Sequence, residues 1–206
     1  MFNIKNLINK FLLALCLTAA ASGAIAAPTS YHVAVDTTSL GGAGLISLGF
    51  GQTGNAGLVT ATVSQLTGQV GAVTPTGAVT LSPSGFSIAN TVTADGNFAD
   101  IDALLGGLFS FDIAFSGNFL SETGLEVSSL YISLLDGGYQ PLAGDAFTGI
   151  GAFSIAQGAG VSYRTPFANF ITITANPEAV VPEPAALLLL LTGFGLMAVM
   201  VKRRQA

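Results

Sequence analysis

The sequence contains little charge, almost no cysteine and none of the tryptophan that often lines sugar-binding sites. Of 206 residues only 8% are charged, and the chain has one Cys, one His and no Trp, whereas a soluble domain usually carries about 25% charged residues. This composition argues against an ordinary cytosolic enzyme and against a charge-rich disordered tail. Cys16 lies in the N-terminal apolar run, so a chain that loses this run owes nothing to disulfides.

Basic residues are nearly absent from the middle of the chain. Five of the six lie near the two ends, and Arg164 alone lies within residues 27–180. This central body carries ten acidic residues against that one arginine, a formal charge of −9. Nucleic-acid binding is excluded because contacts to phosphates need clustered Lys and Arg. Anionic membrane surfaces are disfavoured for the same reason.

The first 26 residues have the three parts of a secretory signal. A basic start precedes an apolar run over residues 11–21, and Ala24-Ile25-Ala26 is a small-x-small cleavage site. The run is too short for an uncleaved anchor, which requires roughly 18 apolar residues. Residues 1–26 are therefore predicted to be a signal helix that signal peptidase removes, with Ala24 and Ala26 as its recognition residues.

The C-terminal residues also have three parts in a fixed order. The segment Val181-Pro182-Glu183-Pro184 is followed by an apolar run over 185–201, and then by Lys202, Arg203 and Arg204. A helix over 185–201 is about 25 Å long, near the lower limit for crossing a bilayer. The basic cluster predicts that the tail over 202–206 stays cytoplasmic. A buried core helix is the alternative, which the uniform apolarity of the run disfavours.

This order of a Pro-Glu-Pro motif, one membrane-spanning helix and a terminal basic cluster, in a chain with a signal peptide, resembles the PEP-CTERM sorting signal of Gram-negative bacteria. The resemblance covers residues 181–206. It implies that an exosortase, a membrane-embedded cysteine transpeptidase, reads Val181 to Pro184 and cuts near them. The protein would then be anchored in the inner membrane before processing, and afterwards lie at the cell surface or outside the cell, among extracellular polysaccharide.

The body between the two ends has the period-two pattern of β-strands. Large apolar residues alternate with small or polar ones over 31–36, 109–116 and 129–134. Turn signals rich in Gly, Asn and Asp separate these from other β-rich runs. Those other runs are 44–50, 58–66, 77–81, 85–93, 146–156 and 167–174.

Residues 27–175 are therefore predicted to form an all-β domain, an antiparallel two-sheet β-sandwich similar to a jelly roll, with about eight to ten strands. The one competing local prediction is a short helix over 100–108, which Asp100 would cap. Residues 176–184 contain three prolines and are predicted to be a stiff linker that carries the sorting motif.

Gly49, Gly51 and Gly54 have the G-x-G-x-x-G spacing of a dinucleotide-binding loop. The residues that follow favour a strand over a helix, and no acidic residue occurs between Asp36 and Asp95 to bind a ribose. We therefore expect a flexible loop between strands rather than a nucleotide site.

His32 is the one candidate general base. It alternates with the apolar Tyr31 and Val33, which places it on an outward strand face. The sequence has no G-x-S-x-G motif to supply a nucleophile. With one His and no cysteine after signal removal, a zinc site is also unsupported.

The acidic residues near position 100 are the strongest candidate for a metal site. Asp95, Asn97, Asp100 and Asp102 offer hard oxygen ligands, as calcium prefers. They do not follow the order of an EF-hand loop, so a solvated turn is the main interpretation and calcium the alternative. Asp100 and Asp102 on one strand face would lie about 7 Å apart, which suits an inverting glycosidase, but nothing else defines a sugar cleft.

Together these features predict a non-enzymatic exported protein with a structural or adhesive role in the extracellular polymer layer, and without a cofactor. The alternative is a carbohydrate-binding module for exopolysaccharide, with Tyr131, Tyr139 and Tyr163 as candidate aromatic contacts. The absence of Trp disfavours this alternative. An enzyme is the third hypothesis.

Overall fold

The computed structural model of the chain describes residues 29–120, 126–145 and 148–176. The predicted signal peptide, sorting motif, transmembrane helix over 185–201 and basic tail lie outside these residues and stay predictions. Within the described part of the chain, no helix is long and apolar enough to cross a membrane.

The described residues form thirteen β-strands and one short 3-10 helix. The strands are β1 (Ser30–Asp36), β2 (Gly42–Gln52), β3 (Val59–Thr67), β4 (Val70–Thr76), β5 (Val79–Ser82), β6 (Gly85–Ala89), β7 (Phe98–Leu105), β8 (Leu108–Gly117), β9 (Val127–Asp136), β10 (Pro141–Ala143), β11 (Gly151–Ala156), β12 (Gly160–Arg164) and β13 (Ile171–Asn176), and the 3-10 helix (Asn118–Leu120) follows β8.

The strands pair antiparallel in two sheets, which confirms the predicted all-β fold. Sheet A has the order β13-β1-β8-β3-β6-β5, and sheet B has the order β12-β11-β9-β2-β7-β4, with β10 paired to β9. In chain order, the pair β1–β8 encloses the pair β2–β7, which in turn encloses β3–β6. Strands β4 and β5 are therefore the innermost of these eight strands along the chain.

One hydrophobic core lies between the sheets, because each strand places its large apolar side chains on a single face. On β8 the buried residues are Phe109, Phe111, Ile113 and Phe115, as the alternation predicted. Phe115 of sheet A meets Phe153 of sheet B with ring centroids 5.1 Å apart. Rings from the two sheets therefore contact each other, and the sheets pack face to face.

The predicted helix over 100–108 is wrong, because most of this segment belongs to β7. Ala99, Ile101 and Leu105 point into the core, whereas Asp102 is exposed. Ala and Leu are also good helix formers, so the composition of the segment hides its period of two. Pairing with β2 on one side and β4 on the other makes it a strand.

The strand count exceeds the predicted eight to ten, because β4, β7, β10 and β12 were not predicted as strands. Residues of β4 lack large alternating apolar side chains and include Pro75. Several predicted runs are trimmed in the structure, since β5 begins at Val79, β6 ends at Ala89, β11 begins at Gly151 and β13 begins at Ile171. Asn176, predicted to begin the linker, ends β13 opposite Ser30.

Candidate functional site

The outer face of sheet B brings together residues that are far apart in the sequence. Phe98 on β7, Gly49 on β2 and Tyr131 on β9 are register partners and form one row across three neighbouring strands. The Phe98 ring lies over Gly49, since a Cβ added at Gly49 would meet that ring at 3.0 Å. Phe98 is 42% exposed. Phe98 and Tyr131 thus flank Gly49 on this face, with their backbones two strand spacings, about 10 Å, apart.

Gly49 is therefore part of a central strand. The prediction of a flexible loop over 49–54 is wrong for residues 49–52. Residues 49–52 belong to β2, Gly54 lies in the turn that follows, and the next element is strand β3. No helix N-terminus stands behind these glycines, as a pyrophosphate site would require. Gly49 instead leaves room for the Phe98 ring.

The adjacent row of the same face holds a buried carboxylate. Asp100 is opposite Ser47 on β2 and Thr74 on β4, and it is only 7% exposed. The hydroxyl of Ser47 donates a short hydrogen bond to the Asp100 carboxylate. Burying a carboxylate is costly unless it is hydrogen-bonded. Ser47 therefore stabilises Asp100 within the sheet.

Asp102 is exposed and borders a shallow, open depression of about 380 Å³. A bulge in β4 between Val70 and Val73 interrupts the pairing with β7 here, and Gly71 lies against the Asp102 side chain. Asp102 is the one carboxylate among the lining residues. Asp100 and Asp102 thus share the outer face of β7, as predicted, but only Asp102 lines the depression.

Asn97 acts as a structural anchor of the loop between β6 and β7. It is buried, and its amide oxygen accepts a hydrogen bond of 2.9 Å from the backbone N–H of Ala78. Its amide nitrogen donates to the carbonyl oxygens of Phe50, at 3.1 Å, and Thr91, at 2.6 Å. Both polar atoms of Asn97, one of the candidate calcium ligands, are thus engaged within the protein.

The other calcium candidates are also placed apart. Asp95 is exposed in the turn before Asn97, Asp100 is held by Ser47, and Asp102 lies at the depression. Across residues 29–120, 126–145 and 148–176, no three His, Cys, Asp or Glu side chains are grouped to hold a metal ion.

The three tyrosines considered for sugar binding do not form one platform. Tyr131 lies on the outer face of sheet B, and Tyr139 lies in the turn after β9 with a φ of 62°. Tyr163 on β12 lies at the core edge, with its ring centroid 5.7 Å from that of Tyr31. The aromatic residue in the same row as Tyr131 is Phe98, which could not be singled out from the sequence because β7 was not predicted as a strand.

Tyr31 links the two sheets at that edge. It is 1% exposed, and its hydroxyl donates a 3.1 Å hydrogen bond to the carbonyl oxygen of Val161 on β12. Burial, together with the nearby Tyr163, raises the pKa of Tyr31 above its usual value. The Tyr31 hydroxyl therefore stays neutral and serves as a structural donor.

His32 lies on the outer face of sheet A, as predicted. Its Nδ1 is 2.7 Å from Oδ1 of Asp112, which is its register partner on β8. The two side chains are 47% and 25% exposed. A pair this exposed contributes less than about 1 kcal/mol to stability.

No known protein family, curated protein or solved structure matches the chain. The terminal segments and the outer faces of the two sheets are therefore the features that bear on function.

Proposed function

We propose that the chain is a non-enzymatic exported protein of the cell surface or extracellular matrix, with a structural or adhesive role in the extracellular polymer layer. The observation that carries the role is the outer face of sheet A, where hydroxyl side chains recur at register positions. Each hydroxyl both donates and accepts hydrogen bonds, so such a face is suited to contact sugar hydroxyls. These residues include Thr60, Thr62, Ser64, Ser87, Ser110, Ser116, Thr172 and Thr174.

We also propose that the nested pairing of the first eight strands is a jelly roll, which β9 to β13 extend at one side of each sheet. A signal helix over 1–26 and a single transmembrane helix over 185–201 complete the proposed precursor.

The proposed route is export through the signal peptide, transient anchoring in the inner membrane, and recognition of Val181 to Pro184 by an exosortase. The support is the order of the C-terminal parts, with Lys202, Arg203 and Arg204 as the cytoplasmic stop.

Deletion of residues 181–206 should redirect the protein to the periplasm or the medium as a soluble species. A matched triple variant, Pro182→Ala with Glu183→Ala and Pro184→Ala, keeps the apolar run and the basic cluster, so it should accumulate unprocessed in the inner membrane. Immunoblots of cell fractions measure both. Wild-type fractionation of both variants would overturn the sorting proposal.

The charge of the body restricts the matrix that it can contact. With a formal charge of −9 over residues 27–180, an acidic polysaccharide would be repelled unless a divalent cation bridges carboxylates of both partners. Asp95 and Asp102 are exposed and are the candidates for such bridging, whereas Asp100 is buried.

The alternative function is a carbohydrate-binding module, which the row of Phe98, Gly49 and Tyr131 favours, because flat aromatic surfaces stack on sugar rings. Phe98→Ala should then reduce retention on neutral matrix polysaccharide at least about tenfold, the loss of about 1.4 kcal/mol. Leu104→Ala is the matched control, since Leu104 is also an exposed apolar residue of β7. Equal retention of the two variants would remove this alternative.

A further inference from the structure

The two sheets end in four edge strands, β13 and β5 in sheet A and β12 and β4 in sheet B, and the short β10 is a fifth, because it pairs with β9 alone. An edge strand exposes unpaired N–H and C=O groups, and proteins usually block such edges with short strands, charges, prolines or bulges. Four of these five edges are blocked in this way. β5 has four residues, β4 contains Pro75 and a bulge, β10 has three residues and begins with Pro141, and β12 ends at Arg164.

Strand β13 carries none of these blocking features. Its sequence, Ile-Thr-Ile-Thr-Ala-Asn, has no charge, proline or glycine. Isoleucine and threonine are strong strand formers. In the described part of the chain, no strand pairs with the edge of β13 that faces away from β1.

The hydrogen-bond pattern identifies which backbone groups lie on that edge. The N–H of Asp36 donates to the carbonyl oxygen of Phe170 at 2.9 Å, so these two residues form a hydrogen-bonded pair. Because pair types alternate along an antiparallel ladder, Thr172 and Thr174 bond to β1. The N–H and C=O groups of Ile173 and Ala175 then point away from β1, whereas the N–H of Ile171 on the same edge already donates to the carbonyl oxygen of Phe167 at 3.3 Å.

We propose that β13 is a docking strand for a second copy of this chain, with the two β13 strands antiparallel and centred on Ile173. In this register Ile173 faces Ile173 of the second copy, Thr172 faces its Thr174, and Ile171 faces its Ala175. The two six-stranded A sheets would join into one sheet across a two-fold axis, as an isologous interface requires.

The self-complementary sequence favours a second copy over a different partner. The centred pairing matches apolar residues with apolar residues on the core side and threonines with threonines on the outer side, and such cross-strand pairs are favourable. The residues of β13 are uncharged. The contact between the two strands therefore places no acidic side chains of β13 opposite each other. One short strand pair buries less area than a stable interface needs, so we expect weak association. The inference does not depend on the proposed sorting or matrix role.

Disulfide trapping in the full chain tests this pairing. Two differently tagged chains, both with Cys16→Ser, are co-produced, one with Thr172→Cys and the other with Thr174→Cys. In the centred register these cysteines form a non-hydrogen-bonded pair with Cα atoms about 4.5 Å apart, within the range for a disulfide. After mild oxidation of cell extracts, so that the result does not depend on export, we expect a covalent heterodimer.

The matched control pairs Thr60→Cys with Thr62→Cys. These threonines have the same spacing on the same outer face, but β3 lies inside sheet A between β8 and β6. Ala175→Pro is the second control, because it removes an outward N–H without removing a β1–β13 hydrogen bond. We expect no heterodimer with the β3 pair, and loss of the β13 heterodimer in Ala175→Pro with an unchanged melting temperature.

Three results would overturn the proposal. They are absence of the β13 heterodimer, equal crosslinking of the β3 pair, and a β13 crosslink that Ala175→Pro leaves intact.

Discussion

Asn90 donates a 2.7 Å hydrogen bond to Ser128 Oγ, and this bond joins the end of β6 in sheet A to β9 in sheet B. Both residues are 1% exposed. The same amide group also accepts from the N–H of Val59 at 2.9 Å and donates to the carbonyl oxygen of Gly57 at 2.8 Å. One buried amide therefore ties two sheets and a loop together.

We expect Asn90→Ala to lower the free energy of unfolding by roughly 2–4 kcal/mol, because it leaves buried partners without hydrogen bonds. Asn55→Ala is the matched control, since Asn55 is exposed in the turn after β2, and its effect should stay within about 0.5 kcal/mol. Chemical denaturation of both variants measures the difference. Similar midpoints would show that the Asn90 bonds contribute little.

Phe111 and its neighbour Ser110 test the core face of β8. Phe111 is 2% exposed, so Phe111→Asp would bury an unpaired carboxylate and destabilise the domain by several kcal/mol. Ser110 lies on the outer face, and we expect Ser110→Asp to change stability by less than about 1 kcal/mol. Thermal melts distinguish the two, and equal losses would contradict the assigned face.

The raised pKa of Tyr31 predicts that the folded domain loses stability at alkaline pH. The Tyr31 pKa is raised in the folded state, so above the unfolded value of about 10 the unfolded chain loses this proton first. The stabilisation from Tyr31 is present below that pH and is lost as the pH rises through the folded pKa. Tyr31→Phe should therefore lose less stability than wild type between about pH 8 and about pH 11.

The same substitution tests the hydrogen bond to Val161. At neutral pH, Tyr31→Phe should cost about 0.5–1.5 kcal/mol, the usual contribution of one hydrogen bond. Tyr139→Phe, at a tyrosine that is 58% exposed, is the control for both pH conditions. A pH profile of Tyr31→Phe that matches wild type would refute the role of Tyr31.

Substitution of Asn97 tests whether this residue has a structural role or binds calcium. Asn97→Ala should lower the free energy of unfolding by roughly 1–3 kcal/mol, because it removes the partners of Ala78, Phe50 and Thr91. We expect the same loss with calcium and with excess chelator, and little effect of Asp95→Asn in either buffer. A wild-type melting temperature that falls on chelation would instead support a calcium site.

Some features of the fold could be predicted from local pattern alone. The alternation over Phe109 to Phe115 assigns both the strand and its buried face, since side-chain direction in a strand depends only on position along the chain. The same holds for Tyr31, Val33 and Val35, which are all buried. The charge of the body is likewise a property of the sequence itself, whereas the signal peptide and the sorting motif stay predictions.

The candidate site could not be predicted in this way. Phe98, Gly49 and Tyr131 meet because β2 pairs with β7 on one side and with β9 on the other, and no local spacing records that register. In the sequence, Asn90 and Asn97 look like ordinary turn residues. Only their burial in the folded chain shows that they anchor the loops.

The amino-acid sequence alone shows the acidic body, and it predicts the β-rich fold and the export signals at both ends, because alternation, charge and terminal motifs are local properties. The tertiary structure alone decided that residues 98–105 form a strand, that Asp100 is buried while Asp102 is exposed, and that β13 is left at an edge. The physical reason is that burial and strand pairing depend on which distant segments pack together, and the free energy of those contacts outweighs local propensity.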